Sequence, residues 1–261
     1  MATNARDLVP ATRNALSVLL LSMADDELVI GFGDSEWTGI APLLEEDVAM
    51  SSLAQDELGH AQALYRLLAD VVEDGRDADA IAYDRPPEGY FHARLLDHPR
   101  GDWATAIARR YLYDTADAVR LEALEACSWA PLRDLAGKIR REERYHVMHA
   151  AAWLERLARG DAESRRRLLD ALARLGADAW TVLSPLPSDL SLVMAGILDA
   201  PLAELDARWR TAIGPVFERL DLPMPAAPGD PVTARTGHSD AFRWLYGEFT
   251  SVRRLDPRAT W

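Results

Sequence analysis

Cysteine is nearly absent: Cys127 stands alone in 261 residues. That excludes an intrachain disulfide and any thiolate metal cluster, and fits a reducing compartment with the thiol as a small buried apolar group. Positive charge is scarce too, with 29 Lys and Arg against 42 Asp and Glu for a net charge of −13. The acids are spread through the chain rather than gathered in a tail, so no phosphate-binding face is indicated and nucleic acid is not an expected partner. The apolar stretch LSVLLLSM is far too short to span a bilayer. The opening MATNARDLVP lacks the basic start and apolar run of a signal peptide. A cytoplasmic protein without a membrane partner is expected.

Alternating β-branched runs bounded by turns are also missing, whereas Ala, Leu, Arg and Glu abound and 49% of the chain is hydrophobic. An all-α fold follows. Helices are expected at roughly 11–31, 43–73, 102–127 and 131–159, separated by GFGDSEWTGIAP, DRPPEGYFHARLLDHPRGD and SWAP. Short turns joining the first pair and the second pair, with a long crossover at roughly 74–101, are the connectivity of a ferritin-like four-helix bundle. Additional helices are expected at roughly 161–183, 189–198, 201–220 and 238–254. The whole, 1–261, reads as a single domain with its core bundle at about 11–159 and its added helices and tail at about 160–261. The arginines of DAESRRRLLDALARL read as a solvated helix face.

Two stretches echo each other: QDELGH at residues 55–60 and REERYH at 141–146 both end in Glu-x-x-His. Alone the motif is weak, since six histidines in an acidic chain should produce about half such a match by chance. Phase on the helices carries more. Met50, Leu53, Glu57, His60, Leu64, Leu67 and Val71 fall on one stripe, as do Leu132, Ala136, Ile139, Glu143, His146, Ala150, Trp153 and Leu157. The first helix offers Leu16, Leu20, Met23, Glu27 and Ile30, and the third Ile107, Tyr111, Asp114, Ala118 and Leu121, each with one inward carboxylate. Glu27 precedes Glu57 by thirty residues and Asp114 precedes Glu143 by twenty-nine, so each half reads carboxylate, turn, Glu-x-x-His. Asp117, one turn from Asp114, competes for that role.

Carboxylates buried singly cost several kcal/mol each, and four together repel. Two divalent cations would balance Glu27, Glu57, Asp114 and Glu143, with His60 and His146 as neutral ligands. Carboxylates with imidazoles across four helices are the donor set of di-iron and di-manganese bundles. Two Fe ions are expected, with Mn as the alternative. Asp56 and Glu142 flank the motifs; Asp56 reads as a surface charge that could also orient a ligand.

SSLAQDELGHAQALY, the preceding DELVIGFGDSEWTGIAPLLEED, REERYHVMHAAAWLERLARG and the ending ARTGHSDAFRWLYGEFTSVRRLDPRATW together resemble the phenylacetic acid catabolic family, the ferritin-like subunits of phenylacetyl-CoA epoxidase. The resemblance runs over nearly the whole chain. It implies either an A-type subunit, whose di-iron centre activates dioxygen and places one oxygen atom across the ring of phenylacetyl-CoA, or a C-type subunit, described as structural. Length and ending resemble the C-type, while Glu27, Glu57, His60, Asp114, Glu143 and His146 match A-type positions. A lysine one turn before the second-helix Glu in A-type subunits is Leu53 here. Implied partners are a paralogous ferritin-like subunit and a reductase component in an oligomeric assembly, with an acyl-CoA, phenylacetyl-CoA, as substrate.

The expected function is therefore a di-iron monooxygenase component, with a structural subunit whose metal only stabilises the bundle as the rival. An iron-storage or radical-generating bundle is the further rival. Tyr65, Tyr111 and Tyr145 lie near ligands in sequence, but tyrosines on helix faces are common core residues. Substrate would enter near the Glu36 and Trp37 loop or under the second-half helices, with Trp37 itself a packing residue. Trp209, Trp244 and Trp261 are interface anchors or ordinary packing.

Overall fold

Pro10 opens the first long helix at a position where its missing N–H goes unnoticed. The computed structural model describes residues 7–256, and among these every regular element is helical. Helix α1 (Pro10–Ser35) leads to α2 (Leu44–Val72), whose first turn carries Glu45, Glu46 and Asp47 against the positive end of its dipole. The crossover holds the short α3 (Ala78–Tyr83) and two 3-10 turns, Pro87–Gly89 and Arg94–Asp97, none of which the sequence pattern signalled. Asp102 caps α4 (Trp103–Ala123) by accepting from the Thr105 N–H. α5 (Ala130–Ala158) again has proline in its first turn. These four long helices form the ferritin-like bundle, α1 against α2 and α4 against α5, with α2 meeting α5 across the middle.

Two boundaries differ from expectation for local reasons. α1 runs on to Ser35 because Gly31 and Gly33 lie inside the helix. At Gly31 a Cβ would sit 3.1 Å from Glu57 Cβ and 3.2 Å from the Ala54 carbonyl, so glycine there permits the close approach of α1 and α2 beside the motif. α4 stops at Ala123, since Leu124, Glu125 and Cys127 each donate to the carbonyl three residues back, which tightens the chain into turns.

A second layer covers the bundle: α6 (Ala162–Leu175), α7 (Asp189–Met194), α8 (Leu202–Arg219), α9 (Asp240–Phe249) and α10 (Ser251–Leu255). The helix expected through 183 breaks after Leu175 and continues as a 3-10 turn, Ala179–Leu183. This layer packs on α4 and α1, which explains why every residue from Ser22 to Gly31 is buried, charged ones included. Trp209 on α8 is wholly buried and donates to Thr115 Oγ1 at 2.9 Å; it is packing, not an interface anchor. Trp244 is exposed, and Trp261 lies outside the described residues. The inward stripe of α5 ends on Leu154 and Ala158 rather than Trp153 and Leu157, the drift expected of a straight helix against a strict repeat. Among the described residues no helix is long and apolar enough to cross a membrane.

Candidate metal centre

Steps of three and four along each long helix turn the six expected residues inward. Glu27 on α1, Glu57 and His60 on α2, Asp114 on α4, and Glu143 and His146 on α5 are all buried, none above 4% exposed. Glu27, Glu57, His60 and Glu143 each bring one ligand atom within 4.8 Å of the others. His60 Nδ1 lies 3.3 Å from Glu27 Oε2 and 3.5 Å from both Glu57 Oε2 and Glu143 Oε1. His146 Nδ1 lies 2.9 Å from Glu143 Oε1 and 3.3 Å from Glu57 Oε1. Asp114 is not in that foursome; its nearest charged partner is Arg110, with Nη2 3.2 Å from Oδ1.

The outer imidazole nitrogens have partners as well. His60 Nε2 is 2.8 Å from Glu142 Oε2, and His146 Nε2 is 3.4 Å from Asp56 Oδ2. Such contacts set the tautomer and turn Nδ1 toward the cluster.

Arg110 joins the site without having been expected there. It is fully buried, with Nη1 2.5 Å from Glu57 Oε1 and 3.1 Å from Asp34 Oδ2. A signal was present in the sequence: it stands one turn before Asp114 on α4, where an arginine reads by default as solvent-facing. Tyr113 is a second unexpected member; its hydroxyl donates to Glu27 Oε1 at 3.0 Å. The three tyrosines singled out from sequence sit elsewhere. Tyr65 donates to Asp25, Tyr111 packs against Phe217, and Tyr145 is exposed. Asp117, the competitor for Asp114, is paired with Arg120, which also holds Asp26 together with Arg235. Leu53, at the lysine position, packs with Trp37, Met50 and Ala106.

Protonation reflects this crowding. Burial and the charge of Glu57 push the Glu27 carboxyl well up, and burial with Glu57 pushes Glu143 up to about 7. Burial raises Asp114 strongly despite Arg110. Glu57 goes the other way: burial opposes ionisation, but Arg110 outweighs it and holds the carboxyl well below the usual range. Although burial disfavours charge on the imidazoles, hydrogen bonds to Glu27 and Glu57 drive His60 up to about 12, and those to Glu143 and Glu57 drive His146 up to about 11. Protons thus do the work that a cation would do better. Glu57 Oε2, both oxygens of Glu143, both of Asp114 and His146 Nδ1 are buried without a hydrogen bond. Orphaned oxygens facing imidazole nitrogens are the donor set that a hard or borderline divalent ion takes, so these residues fit a metal.

Beside Asp34 lies a cavity of about 240 Å³ lined by Glu36, His98, Arg109, Phe242 and Trp244 among others. Trp37 does not line it; it packs edge-on to Trp103.

Residues 1–261 match the family model described as phenylacetic acid catabolic protein. The C-type subunit of 1,2-phenylacetyl-CoA epoxidase from Escherichia coli (strain K12) is 26% identical over 249 residues, spanning 95% of this chain and all (100%) of that protein. Among solved structures, phenol hydroxylase from Pseudomonas sp. OX1, crystallised under xenon pressure, shares the fold with a TM-score of 0.58 at 15% identity, over 84% of this chain and 67% of the hydroxylase chain. A match along the entire length, resting on the bundle and its Glu-x-x-His pair, carries one conclusion: this chain belongs to the phenylacetic acid catabolic protein family.

Proposed function

We propose that the protein is a metal-binding ferritin-like subunit of a multicomponent monooxygenase that oxygenates an aromatic acyl-CoA, phenylacetyl-CoA being the expected substrate. The observation that carries this reading is the foursome of Glu27, Glu57, His60 and Glu143 with ligand atoms inside 4.8 Å. Iron is the favoured metal and manganese the alternative. The chemistry that bound iron supplies is reductive activation of dioxygen, with electrons from a reductase component. The chain's own contribution is preorganisation. Glu142 and Asp56 aim the imidazoles, Tyr113 fixes the Glu27 carboxylate, and apolar neighbours such as Met23, Leu64, Ile107 and Ile139 keep bulk water from the cluster. Place of action is the cytoplasm, where reduced Cys127 and an acyl-CoA substrate belong together.

A second reading has a specific observation behind it. Arg110 stands between Glu57 and Asp114, and full-length similarity is to a C-type subunit, so the metal could stabilise the bundle while a paralogous subunit performs the oxygenation. One reconstitution separates the two. The iron-loaded chain is combined with its paralogue and reductase, given phenylacetyl-CoA, and assayed for the oxygenated thioester by mass spectrometry, with His60→Ala in parallel. The oxygen-activating reading expects His60→Ala to abolish product. If turnover persists while only the melting temperature drops, the stabilising role is the right one, and absence of bound metal from the wild type sinks both.

A further inference from the structure

The two halves of the cluster match in sequence but not in space. On one side Glu27, Glu57, His60 and Glu143 converge on a common point. On the other, Glu57 Oε1 faces His146 Nδ1 at 3.3 Å and at the same time takes Arg110 Nη1 at 2.5 Å. Arg110 Nη2 lies 3.2 Å from Asp114 Oδ1, so the guanidinium spans Glu57 and Asp114. Those are the carboxylates that, with Glu143 and His146, would have to close around a second ion. Nor is the arginine a surface side chain that has strayed inward: it is 0% exposed, anchored from behind by Asp34 Oδ2 at 3.1 Å, and flanked by its own helix. A guanidinium suits this place because its planar fork reaches two carboxylates and it keeps its proton even when buried. Cation and cation repel strongly where little water screens them, so the arginine and a second divalent ion contend for the same Glu57 oxygen.

We infer that the centre holds a single divalent ion, in the half formed by Glu27, Glu57, His60 and Glu143, and that Arg110 is a built-in cation filling the other half and excluding a second ion. The inference rests on the metal-binding reading proposed above and narrows it. Asp114 is then the partner of Arg110, and His146 steadies Glu57 and Glu143.

Metal stoichiometry tests this without any turnover. The full chain is stripped with chelator, loaded with Mn(II) under anaerobic conditions, desalted, and examined by elemental analysis and electron paramagnetic resonance. The wild type should retain a single equivalent with the hyperfine signal of an isolated Mn(II). Arg110→Gln should take up a second equivalent and show an exchange-coupled pair, whereas Arg110→Lys should keep the wild-type spectrum. His60→Ala should lose the ion and Asp114→Asn should keep it. A coupled pair in the wild type overturns the inference and leaves the metal-binding reading standing; no ion in the wild type overturns both. A single ion in both wild type and Arg110→Gln overturns the role given to Arg110. If Arg110→Gln does not fold, the wild-type spectrum alone still decides between an isolated ion and a pair.

Discussion

Asp56 and Glu142 each stand immediately before a motif glutamate, yet each serves the histidine of the other motif: Glu142 reaches His60 and Asp56 reaches His146. The crossing ties α2 to α5 at the level of the cluster. Outer carboxylates of this kind typically change metal affinity by about 10–100-fold. Glu142→Gln and Asp56→Asn are therefore expected to weaken binding by about that factor, with the larger loss at Glu142, whose contact is shorter and whose histidine belongs to the four-residue group. Competition with a coloured chelator measures it; equal affinity in wild type and Glu142→Gln would contradict the orienting role. Neither partner could be assigned from spacing, because a residue next to a ligand points about 100° away from it on its own helix and acquires a role only from what the opposite helix presents.

At the scale of elements, the layer over the bundle is held by two different means. α8 is fixed by apolar burial: Trp209 is wholly enclosed and hydrogen-bonded to Thr115 on α4. Trp209→Ala is expected to cost about 3–5 kcal/mol, read as a lower urea midpoint at unchanged slope. α9 is fixed by polar contacts at its start. Asp97 in the crossover receives His92 Nε2 at 2.8 Å and His238 Nδ1 at 3.2 Å, while Ser239 donates to its carbonyl at 2.5 Å. Burial alone would raise the Asp97 carboxyl, but the hydrogen bonds from His238 and His92 hold it well below its ordinary 3.8. Its contribution is thus complete above pH 3.8 and lost as pH falls through the depressed value. His238 is shifted upward from 6.5, its bonds to Asp97 and Tyr90 overcoming burial, so its contribution is complete below pH 6.5 and fades as pH rises through the raised value. His92, lowered by burial, works in the opposite sense, and the charge of Asp25 bears on both rings. Hydrogen exchange across Asp240–Phe249 should accordingly be faster in Asp97→Asn than in wild type at about pH 6, and the gap should close under acid. A gap unchanged at low pH would show that Asp97 does not hold α9.

For the whole molecule, assembly depends on which surface meets other subunits. Leu44 and Val48 on α2 and Tyr145 and Met148 on α5 are 75%, 62%, 71% and 64% exposed, on the two helices that supply both Glu-x-x-His motifs. Large apolar side chains exposed in this way are candidates for a docking face, and a partner there would also cover Asp56 and Glu142. Tyr145→Asp with Met148→Asp is expected to abolish co-elution with a paralogous subunit while leaving the melting temperature of the isolated chain unchanged. Retained co-elution would move the interface elsewhere.

Periodicity alone determined the all-helical bundle, its pairing and crossover, and the inward phase of Glu27, Glu57, His60, Asp114, Glu143 and His146, because helix register is a local property repeated every few residues. The 3-10 turns of the crossover escaped, since nothing periodic marks so short a segment. Tertiary structure alone decided that Arg110 lies inside the cluster, that Asp114 pairs with it, that Asp117 turns to Arg120, and that Tyr113 reaches Glu27. A lone charge on a helix gives no sign of whether it faces water or an opposite charge. Its energy in the interior depends on distances to groups on other helices, and those distances exist only once the helices have packed.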